Sequence, residues 1–379
     1  MIGRRGLLSL ATGLLVAIAP GSALRPFPAG PAPLAGQAPS IRGTVVSEGD
    51  RTPISGAFVS LIDERGRELD GDLTDPRGQF DLEVAADHEG PLFLRVARIG
   101  VETWVSEPFE EGRAPTTPVT LEVPIRPVRL AAIDVTVHDQ CVVDPDVESQ
   151  VWTAWDEARK ALRTTALAEE ERTYRFEMRL FEREIDPETG EVLDALALTR
   201  TSHGRAPFRS LSPARFASDG YARLEGDSID YYMPDAEALL SPEFERAHCF
   251  GLTEREVEGA RQIGVTFDPV ESGRTEIRGT LWIDEESAEL RSLAYRYVDP
   301  PLGIVDERLG GAARFRRLPD GTFVVSEWII TMPQVERLVD FSGRHLRDRI
   351  GTLKEDGGVL LRVFTRRGDP VPPDRPPGR

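Results

Sequence analysis

The chain has 379 residues, 40% of them hydrophobic, which is enough apolar content for a real core and enough length for about two domains. Its 46 basic and 64 acidic side chains leave a net charge of −18, a balance that repels nucleic acid and anionic membrane surfaces and excludes them as partners. Only Lys160 and Lys354 are lysines; with abundant Ala, Gly and Pro this reflects GC-rich coding, not a phosphate-binding design.

Residues 1–23, MIGRRGLLSLATGLLVAIAPGSA, have the layout of an export signal: a basic start, an apolar run from Leu7 to Ala19, and small residues at Gly21 and Ala23. The run is 13 residues, whereas a membrane-spanning helix needs about 20. Cleavage near Ala23 is therefore expected, with no transmembrane anchor afterwards. Arg4 and Arg5 before Gly6, Leu7 and Leu8 loosely suggest twin-arginine export, but Gly3 and Ser9 depart from that pattern and favour the ordinary route. The first cysteine is Cys141, so no lipid-bearing cysteine follows the cut and a lipoprotein is excluded. Losing residues 1–23, which hold two arginines and no acid, takes the net charge to −20. The expected location is periplasmic or extracellular. Residues 24–39 are too rich in Pro, Ala and Gly to form an apolar face and read as a spacer.

Residues 40–128 alternate with a period of two. In FVSLID, Phe58, Ser60 and Ile62 oppose Val59, Leu61 and Asp63, and LFLRVARIG repeats the style. Pro, Gly and Asp clusters interrupt these runs about every ten residues, which predicts a small antiparallel sandwich. The stretch TDPRGQFDL places a turn between two of the strands. Asp75 suits backbone bonding two residues on, Pro76 presets the turn, Gly78 suits a positive φ, and Phe80 is expected to enter the core. A calcium loop through Asp70, Asp72 and Asp75 lacks the glycine and the closing glutamate that such a loop requires.

Three ordered blocks, Gly43-x-Val45, Pro53-Ile54-x-Gly56-Ala57-x-Val59-x-Leu61 and Thr74-Asp75-x-x-Gly78-x-Phe80, resemble the carboxypeptidase regulatory-like domain, a transthyretin-like sandwich. The resemblance implies a module that accompanies another activity and performs no chemistry of its own.

Residues 129–365 predict a helix followed by an antiparallel sheet. In DPDVESQVWTAWDEARKALRTTALAEEE, Val151, Trp155, Ala158, Leu162 and Ala166 share one helical face, with Asp144 and Pro145 as the start. Trp152 and Trp155 are read as core residues, not a ligand-stacking pair. TYRFEMRLFERE sets Tyr174, Phe176, Met178 and Leu180 on one face and Arg175, Glu177 and Arg179 on the other, and DPETG turns it back through EVLDALALTR. Further strands are predicted at 261–270, 275–284, 289–298, 311–318, 322–331 and 356–365, with short helices near 235–247. The hairpin GTLWIDEESAELRSLAYRY resembles those of lipoprotein-carrier and lipoprotein-sorting-like folds, which implies a curved antiparallel sheet wrapped round a helix. Residues 366–379 read as a disordered tail, and its Arg367-Gly368-Asp369 as a chance tripeptide. The fold class is mainly β with an α+β second part.

Two cysteines in an exported chain are expected to pair, and Cys141 with Cys249 would close a long loop. His248 beside Cys249 hints at metal, but a site wants three or four ligands. None of His88, His138, His203, His248 and His345 lies in a zinc-protease motif, and no nucleophile elbow, phosphate loop or dinucleotide fingerprint occurs; GDSID around Ser228 lacks the closing glycine of an elbow. Glu169–Glu171 near a helix end and Asp284–Glu286 in a hairpin turn are explained by solvation. No catalytic residue, metal or cofactor is therefore expected. The leading function is a non-enzymatic envelope protein that binds or docks an unidentified envelope partner. A carrier of an apolar ligand or lipid in a curved-sheet cavity is the first alternative, and a hydrolase with an unrecognised site the second.

Overall fold

The computed structural model describes residues 40–372 except 86–87, 89, 110–116, 129, 131–144, 204–205, 226–227 and 340–344. The expected signal, the spacer, Cys141 and the end of the tail lie outside the described residues.

Seven strands form two small sheets: β1 (Ser40–Ser47), β2 (Phe58–Asp63), β3 (Glu68–Leu73), β4 (Gln79–Glu83), β5 (Leu92–Arg98), β6 (Val101–Val105) and β7 (Val119–Val123). One sheet has the order β4-β1-β7 and the other β3-β2-β5-β6. All pairings are antiparallel except β1 with β7, which is parallel. Ile41, Val45, Phe80 and Leu82 of the first sheet and Val59, Leu61, Leu94 and Val96 of the second share one core, as alternation along each strand requires. Strand β2 is buried along its whole length.

The reason is α1 (Pro145–Glu170), which lies against β2 and β3 on one side and the large sheet on the other. Sandwich, helix and large sheet belong to one compact unit. Val151, Ala154, Trp155, Ala158 and Leu162 turn one stripe of α1 into the main core. Trp155 lies 4.7 Å from the Phe250 ring and is buried, but Trp152, read as core, is 40% exposed and leans on the same ring from outside. Trp152 follows buried Val151 by one residue, a rotation of about 100° that carries its indole past the edge of the stripe.

After α1 come β8 (Tyr174–Ile185), β9 (Val192–His203), α2 (Pro213–Asp219), the hairpin β10 (Ala222–Glu225) and β11 (Ser228–Tyr231), α3 (Ala236–Leu240) and α4 (Pro242–Ala247). Then follow β12 (His248–Val257), β13 (Ala260–Pro269), β14 (Glu276–Asp284), β15 (Leu290–Val298), β16 (Gly310–Arg317), β17 (Phe323–Val339), β18 (His345–Thr365) and β19 (Pro370–Val371). Ten of these make one antiparallel sheet, ordered β12-β13-β14-β15-β16-β17-β18-β8-β9, with the two residues of β19 on β18. The first residues of the segment read as a tail thus form a turn and a sheet-edge pairing.

Strands β17 and β18 run to 17 and 21 residues, well beyond the predicted spans. Their extensions mix polar and apolar side chains: Arg349 reaches Glu336 at 2.9 Å and Thr352 reaches Gln334 at 3.0 Å across the pair, while Leu353 is buried and Met332 and Ile350 pack against the core. The apolar positions are too widely spaced to show a regular alternation. Among the described residues no helix is long and apolar enough to cross a membrane.

Candidate functional site

The turn after β3 is closed within itself. The Asp75 carboxylate accepts from the backbone N–H of Arg77 and of Gln79, each at 2.8 Å. Gly78 sits at φ +75°, and a Cβ there would strike the Val45 carbonyl. Phe80 is 4% exposed and packs in the sandwich core. Cys249 lies on β12 opposite Asp268, while Cys141 lies outside the described residues. His248 is buried against Phe244 and Phe267, with its ring nitrogens 2.9 Å from the Phe244 carbonyl and 3.1 Å from that of Ile277. Burial pushes its pKa down. Among the described residues no group of three His, Cys, Asp or Glu is placed to hold a metal ion.

The large sheet carries a different feature. Cross-strand partners Leu252, Val265, Leu281, Leu293, Ala313, Trp328, Gly358, Leu180 and Leu198 form one row through nine strands from β12 to β9. Successive partners in a ladder share a face, so this is a single apolar stripe across one side of the sheet. From Leu252 to Ala313 it belongs to the core under α1 and the short helices. Past Trp328 the cover ends, and Leu198 is 49% exposed.

The open end of the stripe is a cleft of about 400 Å³ lined by Leu180, Leu196, Leu198, Pro207, Phe208 and Trp328. Phe208 meets the Trp328 ring nearly edge-on, with centroids 5.7 Å apart. It is carried by the segment that returns from β9 towards α2. That segment is pinned where Arg209 grips the Asp230 carboxylate through two nitrogens at 3.1 and 3.2 Å and its carbonyl accepts from Met233 N–H at 3.1 Å.

Room for the indole depends on Gly358, directly opposite it on β18; a Cβ there would collide with the Trp328 ring. Replacing Gly358 by valine is therefore expected to destabilise the protein by about 1–3 kcal/mol and to displace Trp328. Chemical denaturation followed by tryptophan fluorescence reads both; unchanged stability would show that the indole has space elsewhere.

The rim of the cleft is charged but internally neutralised. Lys354 lies 2.9 Å from Glu182 and 3.5 Å from Asp356, and burial pushes the Asp356 carboxyl up in spite of that neighbour. Arg209 and Lys354 are both already held by carboxylates. The cleft thus offers apolar surface, with its nearest cations occupied.

On the other side of Phe208 lies a second cleft of about 660 Å³, lined by Glu169, Glu170, Arg172, Ser210, Asp235 and Glu237 among others. Here the expectation of solvated carboxylates fails for Glu169. Its carboxyl is pushed up to about 8, first by burial and then by Asp235 and Glu237. The last turn of α1 contains no basic residue to offset this, and it is the negative end of a long helix. The acids come from distant segments, which is why the sequence run shows no such group. Asp235 is committed to capping α3, where it accepts from Ala238 N–H at 2.9 Å.

No protein-family model matches the chain, and no curated protein matches it. The resemblance of the first sandwich to the carboxypeptidase regulatory-like domain is therefore without support from a family match. Solved structures that match part of the chain include a LolA superfamily protein from Nitrosomonas europaea, 12% identical, where the match covers 57% of this chain and 94% of that one at a TM-score of 0.22. A domain from Vibrio parahaemolyticus assigned to outer membrane lipoprotein sorting is 11% identical, with 56% and 94% covered at a TM-score of 0.24. Likeness at so low a TM-score assigns no ligand and no function.

Proposed function

We propose that this is an exported, non-enzymatic binding protein that holds an elongated apolar ligand, such as an acyl chain, on the open end of the large sheet. The observation that carries this reading is the apolar row that leaves its helical cover at Trp328 and opens over half-buried Leu180 to exposed Leu198. A soluble surface rarely leaves such a stripe open without a use for it. The volume of about 400 Å³ falls within the range of small-molecule sites. Neutralised rim cations favour contact with the ligand's hydrocarbon part over capture of an anionic head. This choice prefers the carrier alternative over a docking module. The acidic cleft favours no hydrolase here, because Asp235 is spent on a helix cap and the serines that line the cleft, Ser210 and Ser212, have no histidine beside them in that lining to act as a base.

The test is titration with a fluorescent fatty acid, together with mass spectrometry of organic extracts of the purified protein. The wild type is expected to bind the probe saturably, and Phe208→Asp to weaken it roughly tenfold or more, since burying one aromatic contributes about 1.5–3 kcal/mol. A wild type that binds neither probe nor extractable lipid, or a variant that binds as well as the wild type, would overturn the reading.

A further inference from the structure

Strand β9 is an open edge of the large sheet among the described residues. Among the described residues only β8 pairs with it, and all its residues from Val192 to Thr201 are exposed, with Leu193 at 54% and Leu196 at 63%. At the opposite edge Phe250 and Leu252 of β12 are buried beneath α1 and α4. Edge strands are usually protected by lysine, proline or charges that repel a second strand. VLDALALTRTSH has no lysine and no proline, and its two charges, Asp194 and Arg200, flank two leucines.

Those charges are placed symmetrically. Asp194 and Arg200 lie three residues either side of Ala197, and Leu196 and Leu198 one residue either side. All four belong to the face that carries the apolar stripe, because their spacing is even. Arg200 makes no hydrogen bond or ion pair among the described residues, and the Asp194 carboxylate accepts only from the neighbouring Ala195 N–H.

From this pattern we infer that β9 is the interface of a two-fold symmetric dimer, in which two copies pair antiparallel with the axis through Ala197. In that register Asp194 stands opposite the partner's Arg200, and Leu196 opposite the partner's Leu198, each contact occurring twice. Alternate residues of an antiparallel strand direct N–H and C=O outwards, and an axis through one residue pairs these groups whichever parity holds. The four leucines close over one another between two ion pairs. A register shifted by one residue would put each strand's leucines on the opposite face from its partner's, so this alignment is selected. The large sheets of the two copies become one, and the two apolar clefts become neighbours. Leu196 and Leu198 also line the cleft, so the interface borders the ligand site, whereas Asp194 and Arg200 lie outside that lining and charge swaps there test the dimer separately from ligand binding.

The experiment is sedimentation of the full mature chain at low ionic strength, across concentrations up to about 100 µM. The wild type is expected to show a monomer–dimer equilibrium. D194R alone sets Arg against Arg, and R200D alone sets Asp against Asp, so each should weaken self-association roughly tenfold or more. The double variant D194R/R200D restores opposite charges and dimerisation. An equimolar mixture of the two single variants should form a heterodimer, because one copy then presents two arginines and the other two aspartates. Heterodimer formation also shows that both variants are folded. A wild type that stays monomeric throughout overturns the inference, as does a dimer indifferent to the single swaps or a mixture that fails to associate.

Discussion

Replacing Lys160 by methionine is expected to destabilise the protein by about 3–5 kcal/mol, the cost of leaving a buried charge without its partner. Lys160 is 3% exposed and Glu157, one turn earlier on α1, is 1% exposed. The ammonium lies 2.6 Å from the Glu157 carboxylate, 2.8 Å from the Val101 carbonyl and 3.3 Å from Asp156. The other Glu157 oxygen accepts from Gly100 N–H at 2.7 Å. The pair therefore ties α1 to the β5–β6 turn of the sandwich. Burial already pushes the Glu157 carboxyl up against the pull of Lys160, so losing the ammonium leaves that carboxylate the more exposed to its desolvation cost. Removing both charges, as Glu157→Leu with Lys160→Met, is expected to recover much of the loss. Urea unfolding of Lys160→Met, Glu157→Leu and the double variant measures this; a double-variant loss equal to the sum of the two single losses would show that the two charges act separately. Lys160→Arg should not rescue, because a rigid planar fork cannot replace a compact ammonium among three acceptors.

The second large effect is pH-dependent and belongs to Glu169. Its folded carboxyl keeps a proton up to about pH 8, whereas the ordinary glutamate value is 4.5. Between those values the folded state binds more protons than the unfolded state, so this group's contribution to stability is present below the lower value and is lost as pH rises through the upper one. Glu169→Gln keeps the shape without the titration. The variant is expected to match the wild type at pH 4 and to be more stable at pH 8.5 by about 1–3 kcal/mol. Thermal melts across that range check it; a constant difference at every pH would show that the carboxyl is not held protonated.

Helix α1 and the hairpin β8–β9 were legible because their periods are strong. Val151, Trp155, Ala158 and Leu162 recur at helical spacing, and Tyr174, Phe176, Met178 and Leu180 alternate without a break. Strand β12 was not anticipated, since only its first half, with Phe250 and Leu252, meets the core. Trp152 is expected in the core because it stands three residues from Trp155 on a helix that needs a buried stripe, but it lies just past the edge of that stripe and is 40% exposed. The candidate cleft could not be read at all. Leu180, Leu198, Phe208 and Trp328 come from three strands and a connecting segment, and no local pattern links them.

The order of residues determines by itself the alternation that builds two β-rich parts about one amphipathic helix, and the absence of local catalytic and metal motifs, because these depend on neighbours a few positions apart. Where the stripe loses its cover, which lysine is buried and which glutamate keeps its proton were decided only by the tertiary structure. Burial and field at a side chain are set by segments distant in sequence, and pairing nine strands in register is what brings those segments together.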